Sequence, residues 1–499
     1  MSFKKYIVKF LAKQNTKKIQ AVCNNAIGDQ RRVFKYLTSV LGQTEYGKKY
    51  NIVGQVSIYD FQKKIPISDY EKMSPFIERA ANGEKNILWK GLPKYFAKTS
   101  GTTSGVKYIP LSKEMLKIQI RATQEALLLY ANQSKNYSII NGKMMFLQGS
   151  PSVKNYKQIP CGRLSGIVAN YVPSFLQKNR LPSMKTNSIE DWGLKVKNII
   201  SETRNQDLRL IGGIPPWVIM YFEQLLDMCG KKNVKDVFPN LSLYVYGGAN
   251  FEPYKNTFKR LAGEIDFLEL YPASEGFIGY QNDYTKPDML LLTNHGIFYE
   301  FVETSEFLNK KEKVKRCWLK DVRLNTDYVI ILNTCAGLWG YNIGDTIRFT
   351  STNPYKIIIT GRIQHFISAF GEHVINHEVE TALASAVQKH DSEIIGFTVC
   401  PETSPKEGLP GHDWFIEFGK EPIDFNGFIT DLDLGLRRQN IYYNDLVKGG
   451  VIRPLKIIKL KRGGINNYME SVGKLGGQNK CPQISNDRTI GDYLNNFAL

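Results

Sequence analysis

Between residues 142 and 281 the chain alternates short apolar runs with segments of helical period, and this alternation restricts the fold more tightly than any other feature. "GKMMFLQGSP" reads as a short buried strand, and "IEDWGLKVKNIISET" and "PPWVIMYFEQLLDMCG" read as helices, the second with proline at its entrance and Gly230 past its end. "LSLYVYGGAN" and "IDFLELYPASEGFIGYQ" then read as strands that end in turns of small residues. Strands separated by helices pair most easily in parallel, so the pattern predicts an α/β layered core with ligand loops at the strand ends.

The flanks fill in the rest. Residues 1 to 90 read as helical, with "VFKYLTSVLGQT" apolar at helical spacing. "PKYFAKTSG" reads as a strand running into a turn. The stretch "SKEMLKIQIRATQEALLLYAN" (112–132) opens on a capping-box pattern, Ser112 with Glu114, and continues as an amphipathic helix. From residue 287, "DMLLLTNHGIFYEFVE", "DYVIILNTCAGLWGYN" and "TIRFTSTNPYKIIITGR" predict consecutive antiparallel strands closing a first domain. The last ~135 residues alternate again, which fits the two or more domains that 499 residues require.

Several function classes are disfavoured. The longest apolar runs fall far short of the ~18 residues of a membrane span. The basic N-terminal segment, its apolar residues broken by lysines, reads as a helix lying on the domain and not as a signal peptide. Seven scattered cysteines without a CxxC pair fit reduced thiols in a cytoplasmic protein. The net charge of +19 attracts anions, but its densest clusters, "NKKEKVKR" and "KIIKLKRGG", are short and lack the aromatics of a nucleic-acid platform. His373 and His377 lie four apart, yet Val374 stands where a zincin would carry Glu. No G-x-S-x-G elbow occurs.

"FAKTSGTTSGVKYIP" (96–110) gathers hydroxyls and glycines ahead of Lys107. It is not a Walker A loop, because the four-residue gap and the Lys-Ser/Thr pair are missing. Its chemistry suits phosphate nonetheless: glycine backbone approaches closely, hydroxyls donate, and a lysine adds charge. Taken alone it is equally an ordinary turn. "YGGAN", "YPASEG", "YNIGD" and "GRIQHFISAFGEHVINHEVE" follow it in that order, and "GGQNKCPQISNDR" lies near the end.

In that order these stretches resemble the adenylate-forming superfamily of acyl-CoA synthetases and luciferases. More closely they resemble the auxin-responsive Gretchen Hagen family of acyl acid amido synthetases, over roughly residues 90 to 490. The resemblance implies an α/β fold with a large multi-layer N-terminal domain, residues 1–361, holding mixed sheets and a β-barrel-like subdomain. A smaller mobile α+β domain, residues 362–499, would follow. It implies ATP and Mg²⁺ as cofactors, and a carboxylic acid and an amine, commonly an amino acid, as substrates.

The resemblance also implies roles. Thr99, Ser100, Gly101, Thr102, Thr103, Ser104 and Lys107 would cradle the β- and γ-phosphates. Gly247, Gly248 and Ala249 would pass beside the adenine, Tyr271 would offer it an aromatic face, and Ser274 would reach the α-phosphate. Glu275 would hold Mg²⁺, which takes carboxylate with phosphate oxygens. Asp345 would accept both ribose hydroxyls, Arg362 would meet the nucleotide from the domain junction, and Lys480 would be the catalytic lysine. Gln364 stands where the superfamily often carries a hinge Asp. An acyl-CoA ligase and a non-catalytic nucleotide-binding scaffold remain open as alternatives. The acid pocket is expected within 115–250, where "GRLSGIVANYVPSF" is either lining or core.

Overall fold

The computed structural model describes residues 3–499 apart from 101–105, 149, 172–176, 190, 249–250, 309–313, 364–365, 368, 371, 373, 406 and 477–478. Two strands, β1 (Tyr95–Ser100) and β2 (Val106–Leu111), form a hairpin, and β3 (Lys143–Phe146) follows after a long helix. The short strands β4 (Lys154–Tyr156), β5 (Ile159–Gly162) and β6 (Arg180–Leu181) come next. The predicted alternation then delivers β7 (Leu208–Gly212), β8 (Leu243–Gly247) and β9 (Asp266–Pro272), separated by the helices Pro215–Cys229 and Lys255–Ala262. The antiparallel run comprises β10 (Phe277–Tyr280), β11 (Met289–Leu291), β12 (Ile297–Glu303), β13 (Cys317–Trp318), β14 (Asp327–Thr334), β15 (Tyr341–Thr352) and β16 (Tyr355–Arg362).

These strands share one twelve-stranded sheet, in the order β13-β12-β14-β15-β16-β11-β10-β9-β8-β7-β3-β6. The strands expected to close the first domain are therefore continuous with the parallel ones, hinged at the antiparallel pair β9 and β10. β3, β7, β8 and β9 pair in parallel, so their carboxyl ends line one edge. Those strands are apolar on both faces because helices cover both: Leu210, Leu243, Val245 and Leu268 meet one cluster, Tyr244, Ile211 and Phe222 another. The hairpin β1–β2 belongs to a separate four-stranded sheet, β2-β1-β5-β4.

The helical N-terminus packs onto this sheet. Gln30, fully buried on helix Ala26–Leu41, donates to the Thr293 and Ile297 carbonyls at 2.8 Å and accepts from the Tyr299 amide at 2.9 Å. A buried amide with its groups satisfied fixes the helix against β12. Helix Lys113–Ser134 begins as expected at Ser112, whose hydroxyl accepts from the Met115 amide at 3.0 Å. Glu114 does not complete a capping box. It sits one residue too early to reach back to the cap, and instead meets Lys90 at 2.7 Å and Trp89 Nε1 at 3.2 Å. The helix Pro215–Cys229 has proline at its start and Gly230 at φ +61°, as its sequence predicts.

Past β16, two short strands, β17 (Phe366–Ile367) and β18 (Val374–Ile375), lead into a second lobe. Its three-stranded sheet joins β19 (Glu393–Glu402), β20 (Gly411–Lys420) and β21 (Lys456–Lys459) beneath the helices Asn376–Lys389 and Phe425–Gln439. Trp414, Phe428, Leu432 and Leu383 fill its core. His412, isolated in sequence, pairs here with Glu372 at 2.9 Å, both fully buried. The lobes touch through Arg260, whose Nε donates to Glu393 Oε1 and Oε2 at 2.8 and 2.5 Å, and through Thr257 Oγ1, which donates to the Ile394 carbonyl at 3.2 Å. No described helix is long and apolar enough to cross a membrane.

Candidate active site

The carboxyl edge of the parallel strands is built on close backbone approach. β8 ends at Gly247, where an added Cβ would lie 2.3 Å from the Leu270 carbonyl oxygen of neighbouring β9. Gly248 follows at φ +72°, a conformation side chains resist. A Cβ there would stand 2.8 Å from Lys480 Nζ, so the lysine of the C-terminal lobe rests against the glycine turn of the first. Trp217, at the start of helix Pro215–Cys229, donates its indole N–H to the Asn479 carbonyl at 3.3 Å and holds the same segment.

β9 ends at Tyr271 and Pro272, and the chain closes a tight turn in which the amides of Ala273 and Gly276 donate to one another's carbonyls at 2.9 and 3.2 Å. Gln119 donates to the Ala273 carbonyl at 2.9 Å and anchors that turn to helix Lys113–Ser134. Ser274 and Glu275 are thereby presented half-buried at the strand end. Glu275 makes no ion pair with any described residue. Crowding by protein raises its carboxyl above the usual range, against the opposing pull of its own backbone amide, Arg362 and Lys107.

The antiparallel half supplies the charged pair. Asp345 and Arg362 face each other in the register of β15 and β16, and Arg362 Nε meets Asp345 Oδ1 at 2.6 Å. Tyr271 donates its phenol to the other oxygen, Oδ2, at 2.6 Å. Gly344, at φ +86°, sets the bend before Asp345. The Tyr271 ring is buried, and its hydroxyl is held neutral by burial first and by the Asp345 charge second. Each carboxylate oxygen keeps a second lone pair, so Asp345 retains acceptor capacity after both contacts.

Lys480 reaches water, yet it lies in a cleft walled by both lobes. The crowding there, with the Arg362 charge beside it, brings its ammonium down to about 8, although Asp345 and Glu380 pull the other way. Thr99 pairs with Lys107 across β1 and β2, and Lys107 Nζ lies 5.8 Å from the Tyr70 ring. Gly101, Thr102, Thr103, Ser104 and Ala249 lie outside the described residues, as do Gln364 and His373, and Ser100 is described only through its backbone pairing with Val106. Lys107, Glu275, Tyr271, Asp345, Arg362, Gly248 and Lys480 converge on this edge. Two contributors escaped the sequence reading: Trp217, for which "PPW" was the one cue, and the phenol of Tyr271.

Glycine turns, a carboxylate–guanidinium pair and a lysine from a second lobe meet at this edge, on a fold that adenylate-forming ligases share. The fold agrees: a 2-hydroxyisobutyryl-CoA ligase, solved in its postadenylation state, aligns over 95% of this chain and 91% of its own, with TM-score 0.60 at 12% identity. Within that class the chain belongs to the GH3 family, whose N-terminal, central and C-terminal domain models match residues 15–193, 290–362 and 377–489. Among its relatives, the jasmonoyl–L-amino acid synthetase JAR6 of Nicotiana attenuata is 22% identical over 93% of this chain and 90% of that protein. The indole-3-acetic acid-amido synthetase GH3.15 of Arabidopsis thaliana is 25% identical over 92% and 91%. A solved GH3.15 acyl acid amido synthetase in complex with 2,4-DB superposes with TM-score 0.81 at 18% identity, covering 98% of this chain and 96% of that one.

Proposed function

We propose that this protein is an ATP-dependent acyl acid amido synthetase. A carboxylate oxygen attacks the α-phosphorus of ATP, an O–P bond forms, and the bond to the β-phosphate breaks with pyrophosphate leaving. An amine nitrogen, that of an amino acid, then attacks the acyl carbon of the adenylate and AMP departs. The observation that carries this reading is the convergence of Asp345, Arg362 and Lys480, from two lobes, on the glycine edge of β8.

In this reading Asp345 accepts the ribose hydroxyls while Tyr271 and Arg362 hold it in place, and Tyr271 flanks the adenine. Gly247, Gly248 and Ala249 let the nucleotide lie against backbone. Thr99 to Ser104 and Lys107 hold the β- and γ-phosphates, and Ser274 the α-phosphate. Lys480 neutralises charge growing on the α-phosphate and the attacking carboxylate, an electrostatic role in a positioned complex. Glu275 fits Mg²⁺, because an ion that takes one or two protein carboxylates together with phosphate oxygens matches a half-buried carboxylate with no ion-pair partner among the described residues. When bound, that ion supplies charge neutralisation at the phosphates.

We place the division between the lobes at residues 361–362, with residues 362–499 rotating between the two half-reactions to exclude water from the hydrolysable adenylate. The seven cysteines, all free, support a reducing cytoplasmic compartment. The deciding assay is ATP–pyrophosphate exchange with Mg²⁺ across a panel of carboxylic acids, without amine or CoA. Acid-dependent exchange is expected. Exchange absent with every acid, despite measurable ATP binding, overturns the enzyme reading. Adding amino acids or CoA to an active acid then separates an amine from a thiol acceptor.

A further inference from the structure

One polar group in the first lobe has no work in the scheme above. Gln148, just past β3, is only 8% exposed, and its amide Nε2 donates to no described residue. The Ser165 hydroxyl is likewise buried without a partner among the described residues. Arg163, half-buried at the start of helix Leu164–Ala169, makes no hydrogen bond or ion pair with any described residue. Gly166 packs this helix directly onto the loop after β3: a Cβ there would meet the Ser150 carbonyl oxygen at 2.8 Å. Lys195, 3% exposed, enters from helix Trp192–Thr203 and donates to the Gln148 and Asn187 carbonyls at 3.2 and 2.7 Å. Burial and the neighbouring Arg163 charge bring Lys195 down to about 8.

Protein interiors rarely leave a buried amide donor and a guanidinium without acceptors, because desolvating them without replacement costs stability. A guanidinium and two unused hydroxyl or amide donors, beside the positive charge of Lys195, describe the complement of one carboxylate, which takes a bidentate guanidinium and further donors at once. The position connects this group to the reaction. β3 and β8 are separated in the sheet only by β7, whose end is Gly212 and Gly213, residues without side chains. Two inter-strand spacings put the loop after β3 on the order of 10 Å along the same carboxyl edge from Gly248 and Lys480.

We propose that Arg163, with Gln148 and Ser165 and beside the positive charge of Lys195, binds a second carboxylate on the acid substrate, so that the preferred acid is dicarboxylic, its two carboxylates about 10 Å apart. This rests on the adenylating reading above and narrows its substrate class. The test uses the full chain with α,ω-dicarboxylates of increasing length and monocarboxylates of the same length. KM is measured by ATP–pyrophosphate exchange without amine, and binding by calorimetry without ATP.

The wild type is expected to favour dicarboxylates by tenfold or more in KM, with an optimum length. Arg163→Gln is expected to collapse that ratio toward one, and Gln148→Met and Ser165→Ala to lower it by less. These milder variants carry the test if Arg163→Gln fails to fold. A wild type that favours monocarboxylates at every length, or a folded Arg163→Gln with an unchanged ratio, overturns the proposal. So does an Arg163→Gln enzyme in which only the KM of the amino acid acceptor rises, which assigns the group to the acceptor. Dicarboxylate binding that depends on Arg163, with no exchange by any acid, upholds the subsite and overturns the adenylating reading alone.

Discussion

Where β8 and β9 end, the chain offers backbone: Gly247 lies so close to Leu270 that a methyl has no room, and Gly248 turns beneath Lys480. Where β15 and β16 meet, it offers side chains: Asp345 and Arg362 stand opposite one another and Tyr271 closes on them. The two halves of one sheet thus contribute differently. The parallel half shapes the edge, because strand ends covered by helices expose only turns. The antiparallel half charges it, because facing residues of a hairpin present two side chains on one side. Shape is expected to fail by loss of folding, and charge by loss of affinity or rate with the fold intact.

The effect that reaches the whole fold breaks shape. Gly247→Ala forces a Cβ against a main-chain oxygen at 2.3 Å, and backbone on both strands must yield. The expected destabilisation is about 1–3 kcal/mol, as for overpacked interiors, read as a lower denaturation midpoint at unchanged m-value. An unchanged midpoint shows that the β8 edge can spread and that its geometry is not a constraint.

Removing charge comes next. Lys480→Ala is expected to slow exchange by roughly 10²–10³-fold while ATP binding and thermal midpoint change little, the size seen when one oriented electrostatic contact to a transition state is lost. Its pH dependence sharpens the contrast. With the ammonium brought down to about 8 in the free protein, the charged form needed for catalysis is present below that value and lost as pH rises through it. The kcat/KM for ATP therefore falls above pH ~8, since that parameter reports the free enzyme. Lys480→Arg, charged throughout, is expected to abolish the alkaline limb. A limb that persists belongs to another group.

How much of this was legible beforehand follows the same division. The glycine turns and the helix starts at Ser112 and Pro215 are written in local spacing, and the alternation of residues 142–281 was enough to predict the sheet they serve. Long-range pairings were not. Nothing local sets Tyr271 against Asp345, 74 residues on, or brings Lys480 onto Gly248, because strand order and lobe docking decide both. The histidines isolated in sequence, His295, His390 and His412, each meet a carboxylate for the same reason. The join of the antiparallel strands to the parallel ones turned on β9 and β10, where the turn "PASEG" reverses the chain without leaving the sheet.

A last substitution tests whether charge and shape are separable at all. Asp345→Asn keeps the volume and the acceptor for Tyr271 but removes the negative charge that Arg362 answers. Losing one charge-assisted contact of about 1.5–3 kcal/mol corresponds to roughly a 10- to 150-fold rise in the ATP dissociation constant. Arg362 is half-exposed, so freeing it costs the fold little, and the thermal midpoint is expected to stay within a few degrees. Calorimetric titration of ATP checks the affinity, and a melting curve checks the fold. Unchanged affinity removes Asp345 from the ribose. A large fall in midpoint instead shows that the pair holds β15 to β16, in which case the antiparallel half is a structural clasp before it is a binding surface.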